Sequence, residues 1–347
     1  MTATQSRDDR AVKYGRGWDR LVASAVAPGV WSTLLPFPSA LSYSCSYSIR
    51  VPDGIVVVDL GWDSDAGWSA FQAGLSRAGA TLSDIVGVVV THAHPDHYGL
   101  APRIRETSGA WIAMHPLERD LIAATAEERT ARVAELGIWL AECGVPQTYL
   151  DDLSDEAAEI AATMVDVEPD VDLVDDMPIP GSDSTLRAIH TPGHTAGSMC
   201  VFDRHRNLLL TGDHFLPRVT PNVSKRPRSS EDPLSDFVGS LDRIGRVGSS
   251  PMILPGHEWA FDQGDQRIVD LRRHHSKRLN EMERAVAAGA STTWEVATTV
   301  SWTRPFAALD SRGQRQAIGE THAHLHHLAE RGRIVHKPGT PQRWINV

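Results

Sequence analysis

The run Thr91-His92-Ala93-His94-Pro95-Asp96-His97 puts four metal-capable side chains within six positions, directly after the apolar stretch Ile85-Val86-Gly87-Val88-Val89-Val90. Three imidazoles and a carboxylate at this density make poor packing material, because each would have to be desolvated or held apart from its neighbours without gain. A tight loop at the end of a buried strand is a place where such groups converge on one point. Three further loops have the same grammar of strand, glycine turn and donor: Thr191-Pro192-Gly193-His194-Thr195, Thr211-Gly212-Asp213-His214 and Pro255-Gly256-His257-Glu258. Glycine lets the backbone bend sharply enough for each donor to point back over a sheet edge. Imidazole and carboxylate donors suit Zn²⁺ first, and Fe²⁺ or Mn²⁺ as well.

The elements that must position these loops follow from periodicity. Ser42 to Ile49 alternates, Pro52-Asp53-Gly54 turns and Ile55 to Asp59 returns, a strand pair within Leu34 to Leu60. An amphipathic helix is expected over Trp68 to Ala78, then the buried strand into the histidine loop and a short strand at Trp111 to Met114. Helical spacing dominates from Pro116 to about Asp176, with helices over Leu117 to Ala126, Glu128 to Cys143 and Glu156 to Val165. Such a helical insertion between strand regions is placed to cap the loops, and its heaviest apolar cluster is Ile138, Trp139 and Leu140. Strands resume at Thr185 to Ile189, Ser198 to Phe202, Leu208 to Leu210 and Met252 to Leu254. Three helices (Arg267 to Ala288, Thr293 to Val300, Gln314 to Arg331) and a hairpin (Arg333 to Val335 with Arg343 to Ile345) read as a winged-helix-like appendage. The strand, helix, strand order implies an α/β fold with helices packed on the outer faces of sheets.

Composition sets outer bounds. At 347 residues, with 41% hydrophobic and 22% charged residues, the chain has room for one large domain and a small one. Met1 to Gly17 is polar with no secretory signal, and no stretch approaches the roughly 18 apolar residues of a membrane helix. Cys45, Cys143 and Cys200 are odd in number, far apart and in no CxxC spacing, so a reducing cytoplasm is expected and each thiol reads as a small buried apolar group. The net charge of −10 is uneven: from Leu271 onward about 12 basic residues face 6 acidic ones, while Tyr149 to Asp183 carries about a dozen carboxylates and no Lys or Arg.

The motifs His-x-His-x-Asp-His, Gly-His-Thr, Gly-Asp and Gly-His, in this order, resemble the metallo-β-lactamase-fold hydrolase superfamily over Leu34 to about Asp262. The resemblance implies a four-layer αβ/βα sandwich with a site at one edge between two sheets. It makes residues 1–265 the catalytic domain, with a helical insertion at about 116–176, and 266–347 a C-terminal winged-helix-like domain. Carried over residue by residue, it implies that His92, His94 and His194 hold one metal, that Asp96, His97 and His257 hold a second, and that Asp213 bridges both. Asp59 matches an aspartate that orients a ligand. Two cations, Zn²⁺ in the first instance, would generate a bridging hydroxide to attack a carbonyl or phosphorus centre, with Asp96 orienting the nucleophile and passing its proton on.

The Gly-His-Glu at Glu258 resembles the hydroxyacylglutathione hydrolase branch, although the helical insertion and C-terminal helices depart from that branch's tail. The C-terminal part, His274 to Trp344, resembles the winged-helix-like domain of the lactamase-like-protein-2 group, some of whose members are ribonucleases. The favoured expectation is hydrolysis of a small ester, thioester or lactone, with an acyl group under the Ile138-Trp139-Leu140 cap. An endoribonuclease or phosphodiesterase is the alternative, favoured by the basic C-terminal part and opposed by the acidic stretch. A mononuclear-iron persulfide dioxygenase is a further alternative. The expected partner is a small molecule, with nucleic acid less favoured, no membrane, and a homodimer left open. Near the motifs, His115, His190 and His214 read as support or packing, and Tyr98 as packing or a substrate contact. His274, His275, His322, His324, His326 and His327 lack an acidic partner pattern and read as a solvated or packed helix face.

Overall fold

A computed structural model describes residues 23–38, 41–122, 125–162 and 167–347. The polar segment Met1 to Gly17 and residue Val165 lie outside the described residues. The larger sheet has seven strands in sequential order: β1 (Ser24–Ala27), β2 (Val30–Pro36), β3 (Tyr43–Val51), β4 (Gly54–Val58), β5 (Ile85–Val89), β6 (Trp111–Met114) and β7 (Val171–Asp172). The first four pair antiparallel, and β4 to β7 run parallel. The smaller sheet contains β8 (Leu186–His190), β9 (Met199–Asp203), β10 (Leu208–Gly212) and β11 (Met252–Pro255), in the order β11-β10-β9-β8. A hairpin, β12 (Ile334–Lys337) with β13 (Arg343–Asn346), closes the chain.

Alternation along the strands builds the layers. Tyr43, Cys45, Tyr47 and Ile49 of β3 and Val56 and Val58 of β4 meet Ala188, Met199, Val201, Leu208 and Leu210 of the smaller sheet in one buried core. The opposite faces, Ile55 and Val57 of β4 and Val88 of β5, pack under Phe71 and Leu75 of α1 (Asp65–Arg77), Tyr98 of α2 (Pro95–Tyr98) and Ile104 of α3 (Ala101–Ser108). The short α4 (Pro116–Arg119), then α5 (Ala126–Glu142) and α6 (Gln147–Ala162), follow in the chain. Over the smaller sheet, Leu209 and Ile253 meet Leu234, Phe237 and Leu241 of α7 (Pro233–Ile244) and Leu271 of α8 (Gly264–Ala287). The result is helix, sheet, sheet, helix, as expected.

The helices α9 (Thr293–Thr299) and α10 (Ser311–Glu330) complete the C-terminal part in the expected order. Here three expectations change. A single helix over Leu117 to Ala126 gives way to α4, which stops at Arg119, because Thr125 caps a new helix: its hydroxyl accepts the Glu128 N–H (3.1 Å) and the Glu128 carboxylate accepts the Thr125 N–H (3.2 Å). The third helix of the insertion begins at Gln147, not Glu156. The apolar cap is also used differently. Trp139 and Leu140 are buried against Ala297, Phe306, Ala317 and Ile318 of the C-terminal part, while Ile138 is 65% exposed. The insertion therefore docks on α10, which is why that helix is buried nearly all round, from Gln314 to Leu328. Among the described residues no helix is long and apolar enough to cross a membrane.

Candidate metal centre

The four loops leave the sheet edge together. His94 caps α2 with extended backbone (φ −67°, ψ 145°), Pro95 takes the first helical position, and the His97 N–H bonds back to the His94 carbonyl at 2.9 Å. One turn of helix thus returns Asp96 and His97 over the strand they came from. Gly193 holds φ +137°, and a Cβ there would meet the Phe237 backbone at 2.5 Å. Gly256 must be bare for a different reason: a Cβ would lie 2.6 Å from Asp213 Oδ1 and 2.7 Å from His97 Cε1.

Seven side chains from these loops form two groups, His92, His94 and His194 in one and Asp96, His97, Asp213 and His257 in the other, with donor atoms within 4.8 Å of one another in each. His94 Nδ1 lies 2.9 Å from His92 Nε2 and 3.2 Å from His194 Nε2. His257 Nε2 lies 3.1 Å from Asp96 Oδ2 and 3.3 Å from Asp213 Oδ2, and His97 Nε2 lies 3.3 Å from Asp213 Oδ1. Asp213 Oδ2 is also 3.9 Å from His194 Nε2, so this one carboxylate spans both groups.

Four of the five rings have their outer nitrogen, Nδ1, anchored, which fixes ring orientation and leaves Nε2 facing the centre, while His94 faces it with Nδ1. His97 Nδ1 meets Asp59 Oδ2 at 2.7 Å, His257 Nδ1 meets the Tyr43 carbonyl at 2.7 Å, His194 Nδ1 meets the Asn222 carbonyl at 2.8 Å, and His92 Nδ1 meets Thr91 Oγ1 at 3.1 Å. Asp59 also accepts the Thr91 N–H (2.8 Å) and hydroxyl (2.9 Å).

Electrostatics divide the centre. Burial, then the neighbouring imidazoles, pulls His92 well below the usual histidine range; burial and His194 bring His94 to about 3, and burial lowers His194. Burial also acts on His97 and His257, but the carboxylates outweigh it: Asp213, Asp59 and Asp96 raise His97 to about 10, and Asp213 with Asp96 raises His257 well above the usual range. Without a metal, burial thus favours the neutral ring in one half, and the carboxylates favour the protonated ring in the other.

The donor set fits divalent cations. A tetrahedral ion with bonds of about 2.0–2.1 Å separates its donors by about 3.3–3.4 Å, a value that the separations here, 2.9–3.2 Å among the imidazoles and 3.1–3.6 Å in the second group, bracket. His97 Nε2 and Asp213 Oδ1 are buried with no hydrogen-bond partner, a cost that a bound cation would remove.

Other sequence candidates fall elsewhere. Tyr98 is buried and its hydroxyl donates to the Val167 carbonyl, as the packing reading expects. His115 and His190 stack on each other, centroids 4.3 Å apart, outside both donor groups. His214 is buried against Phe237. His275, His322, His324 and His327 are buried in the helical part and His326 is half-buried, and none joins a donor group. Glu258 braces the fourth loop: its carboxylate takes the Arg218 guanidinium at 2.9 Å and the Arg218 and Val219 N–H groups at 3.0 and 2.9 Å. Sequence reasoning missed Glu118, fully buried, whose carboxylate accepts the Ala93 and Gly197 N–H groups at 2.8 Å each. Its one available signal was an acid just after Pro116 at the head of an apolar-spaced segment.

Comparison with known proteins agrees with this architecture. The family model of the metallo-beta-lactamase superfamily matches residues 42–258, and the chain belongs to that superfamily of metallo-hydrolases. The crystal structure of a metallo-beta-lactamase family protein from Thermus thermophilus is similar with a TM-score of 0.77 at 26% identity, covering 93% of this chain and 100% of that one. A beta-lactamase domain protein from Burkholderia ambifaria gives 0.79 at 25% identity, covering 94% of each. The acyl-coenzyme A thioesterase MBLAC2 of Homo sapiens is 27% identical over 190 residues, 54% of this chain and 60% of its own length. The chain spans only 48% to 60% of the first curated relatives it matches.

Proposed function

We propose that the protein is a dinuclear hydrolase of small esters, thioesters or lactones. His92, His94 and His194 would hold one cation, Asp96, His97 and His257 a second, and Asp213 would be shared, with zinc the first choice and iron or manganese compatible with the same donors. The reading is carried by one observation: Asp213 presents an oxygen to each of two donor groups, four of whose five rings are anchored from behind. When bound, divalent cations supply Lewis acidity that acidifies water and polarises a carbonyl oxygen. The residues supply the rest. Asp96, whose Oδ2 faces His257 Nε2, orients the attacking water, accepts its proton and returns that proton to the departing alcohol or thiol. In the metal-free protein, burial raises Asp96 but His97 and His257 outweigh it and hold the carboxyl below its usual range.

The similarity to a human acyl-coenzyme A thioesterase favours a thioester within this class. The apolar cap gives no support to the choice, since Trp139 and Leu140 are spent on packing. Residues 1–265 are proposed as the catalytic unit, 266–347 as a winged-helix-like appendage, and the cytoplasm as the location. The test is a side-by-side assay of the purified, metal-loaded protein on acyl-coenzyme A thioesters, lactones and single-stranded RNA. Turnover of thioester or lactone is expected, and turnover of RNA alone would overturn the reading. Metal analysis separates the oxygenase alternative, which needs one iron per chain where this reading needs two cations, zinc in the first instance.

A further inference from the structure

Glu118 belongs to neither donor group and takes no part in the proposed proton transfers, yet it is fully buried at the edge of the centre. It enters from α4. One carboxylate oxygen accepts the N–H of Ala93, the residue between His92 and His94, at 2.8 Å. The other accepts the N–H of Gly197, three residues beyond His194, at 2.8 Å. Both contacts fall on the two loops that carry the three-imidazole group.

The approach is also sterically enforced. A Cβ at Gly197 would lie 2.8 Å from Glu118 Cγ, 2.9 Å from its backbone nitrogen and 2.9 Å from Oε1, so the second loop reaches the carboxylate only because it carries no side chain there. An apolar residue would serve to fill the space. A carboxylate between two backbone amides does more, because it fixes the distance between two chain segments, and it tolerates burial only while those donors stay in place.

We propose that Glu118 is a positioning residue for the three-imidazole half of the centre: its carboxylate sets the separation of the His92–His94 loop from the His194 loop, and with it the metal affinity of that half alone. This rests on the metal-ligand reading above. In the other half, ring orientation depends on Asp59 and the Tyr43 carbonyl, which Glu118 does not touch.

The test is equilibrium metal binding. Wild type, Glu118→Gln, Gly197→Ala and Asp96→Asn are stripped with a chelator, compared for metal-free melting temperature, and titrated with Co²⁺, with Zn²⁺ affinities read by competition against a chromophoric chelator. Glu118→Gln keeps the volume but turns an NH₂ toward a backbone N–H. Gly197→Ala keeps the carboxylate and pushes it from the other side. Both should weaken one of the two equivalents about 10- to 100-fold, the range for groups that orient ligands, and change its Co²⁺ spectrum. The equivalent marked by Asp96→Asn should stay within about twofold of wild type. Unchanged affinities, or parallel weakening of both equivalents, overturn the proposal while the wild type still binds two ions. A wild type that binds fewer than two removes the metal reading, and the proposal with it. Should Glu118→Gln fail to fold, Gly197→Ala decides by the same criterion.

Discussion

Two buried histidine assemblies can be compared within this one chain. At the sheet edge, His92, His94, His97, His194 and His257 stand around Asp59, Asp96 and Asp213. In the helical part, His275 Nδ1 meets His324 Nε2 at 3.1 Å, His324 Nδ1 meets the Glu320 carbonyl of its own helix at 2.7 Å, and His322 Nδ1 meets Cys143 Sγ at 3.2 Å. The residue type is the same and the burial similar, but the partners differ. Carboxylates raise His97 to about 10, whereas burial, unopposed by any acid, drives His322 and His324 to about 3. An acid is present in both, since Asp232 lies 2.9 Å from His327, so what sets the sheet-edge assembly apart is that its loops aim donors at common points. On a helix, rings at three- and four-residue spacing lie along a face and serve as packing.

The comparison is broken most severely at Asp213, which belongs to one donor group and faces the other across 3.9 Å. Asp213→Asn should reduce turnover by about 10³-fold or more, as for groups that act as a unit, and lower the metal content from two equivalents. Full metal content with wild-type turnover would show that the shared carboxylate is dispensable. A smaller effect is expected at Asp59. Asparagine tolerates the positive φ of 61° there and keeps one acceptor, but withdraws the negative charge from His97. Asp59→Asn should weaken metal binding about 10- to 100-fold, and competition titration measures it.

The contrast between the two assemblies also explains what could be read from the sequence. The donor loops were legible because a dense histidine run is joined by three loops in which strand, glycine and donor recur, whereas the expected lack of acids near His322 to His327 does not hold: His327 Nδ1 lies 2.9 Å from the Asp232 carboxylate, a partner 95 residues away in sequence. Partners of the donors were not legible where they are backbone: nothing in a sequence marks the carbonyls of Tyr43 and Asn222 that hold His257 and His194. The helix α7 went unread between the strands at Leu208 and Met252, and the structure starts it at Pro233 with Asp232 accepting the Ser235 N–H at 3.0 Å. The insertion failed for a different reason. Periodicity shows that Trp139 and Leu140 face something apolar, but not whether that is a ligand or another helix of the same chain.

The pH dependence of stability sharpens the comparison without any metal. Folded His322 titrates near about 3, and an unfolded histidine near about 6.5. Below 6.5 the unfolded chain takes a proton that the folded chain refuses, so stability is lost as pH falls from about 6.5 toward 3, by up to about 1.4 kcal/mol per pH unit for each such ring. His97 has the opposite sign: its stabilisation is present below about 6.5 and is lost as pH rises toward 10. In the chelated protein, His322→Phe, packed between Trp139 and Trp344, should flatten the acid side of the curve and leave the alkaline side unchanged. Denaturant midpoints across pH measure both limbs, and an acid limb of unchanged slope would show that His322 is not held neutral.

The smallest expected effect is at His214, which lies beside the metal centre but belongs electrostatically with the helical assembly. Both of its ring nitrogens are buried without a hydrogen-bond partner, its ring packs 4.9 Å from Phe237, and burial with His194 brings it to about 3. A polar group in that state has already lost its bonds to water and gained nothing in return, so an apolar residue of similar size should fit as well or better. His214→Leu is therefore expected to change unfolding free energy by less than about 1 kcal/mol, or to raise it, where loss of a satisfied buried partner costs about 1–3 kcal/mol. Metal content should hold at two equivalents, because His214 supplies no donor to either group. A loss above about 2 kcal/mol in urea unfolding would mean that the ring has partners and that the site's network extends past Asp213 toward α7.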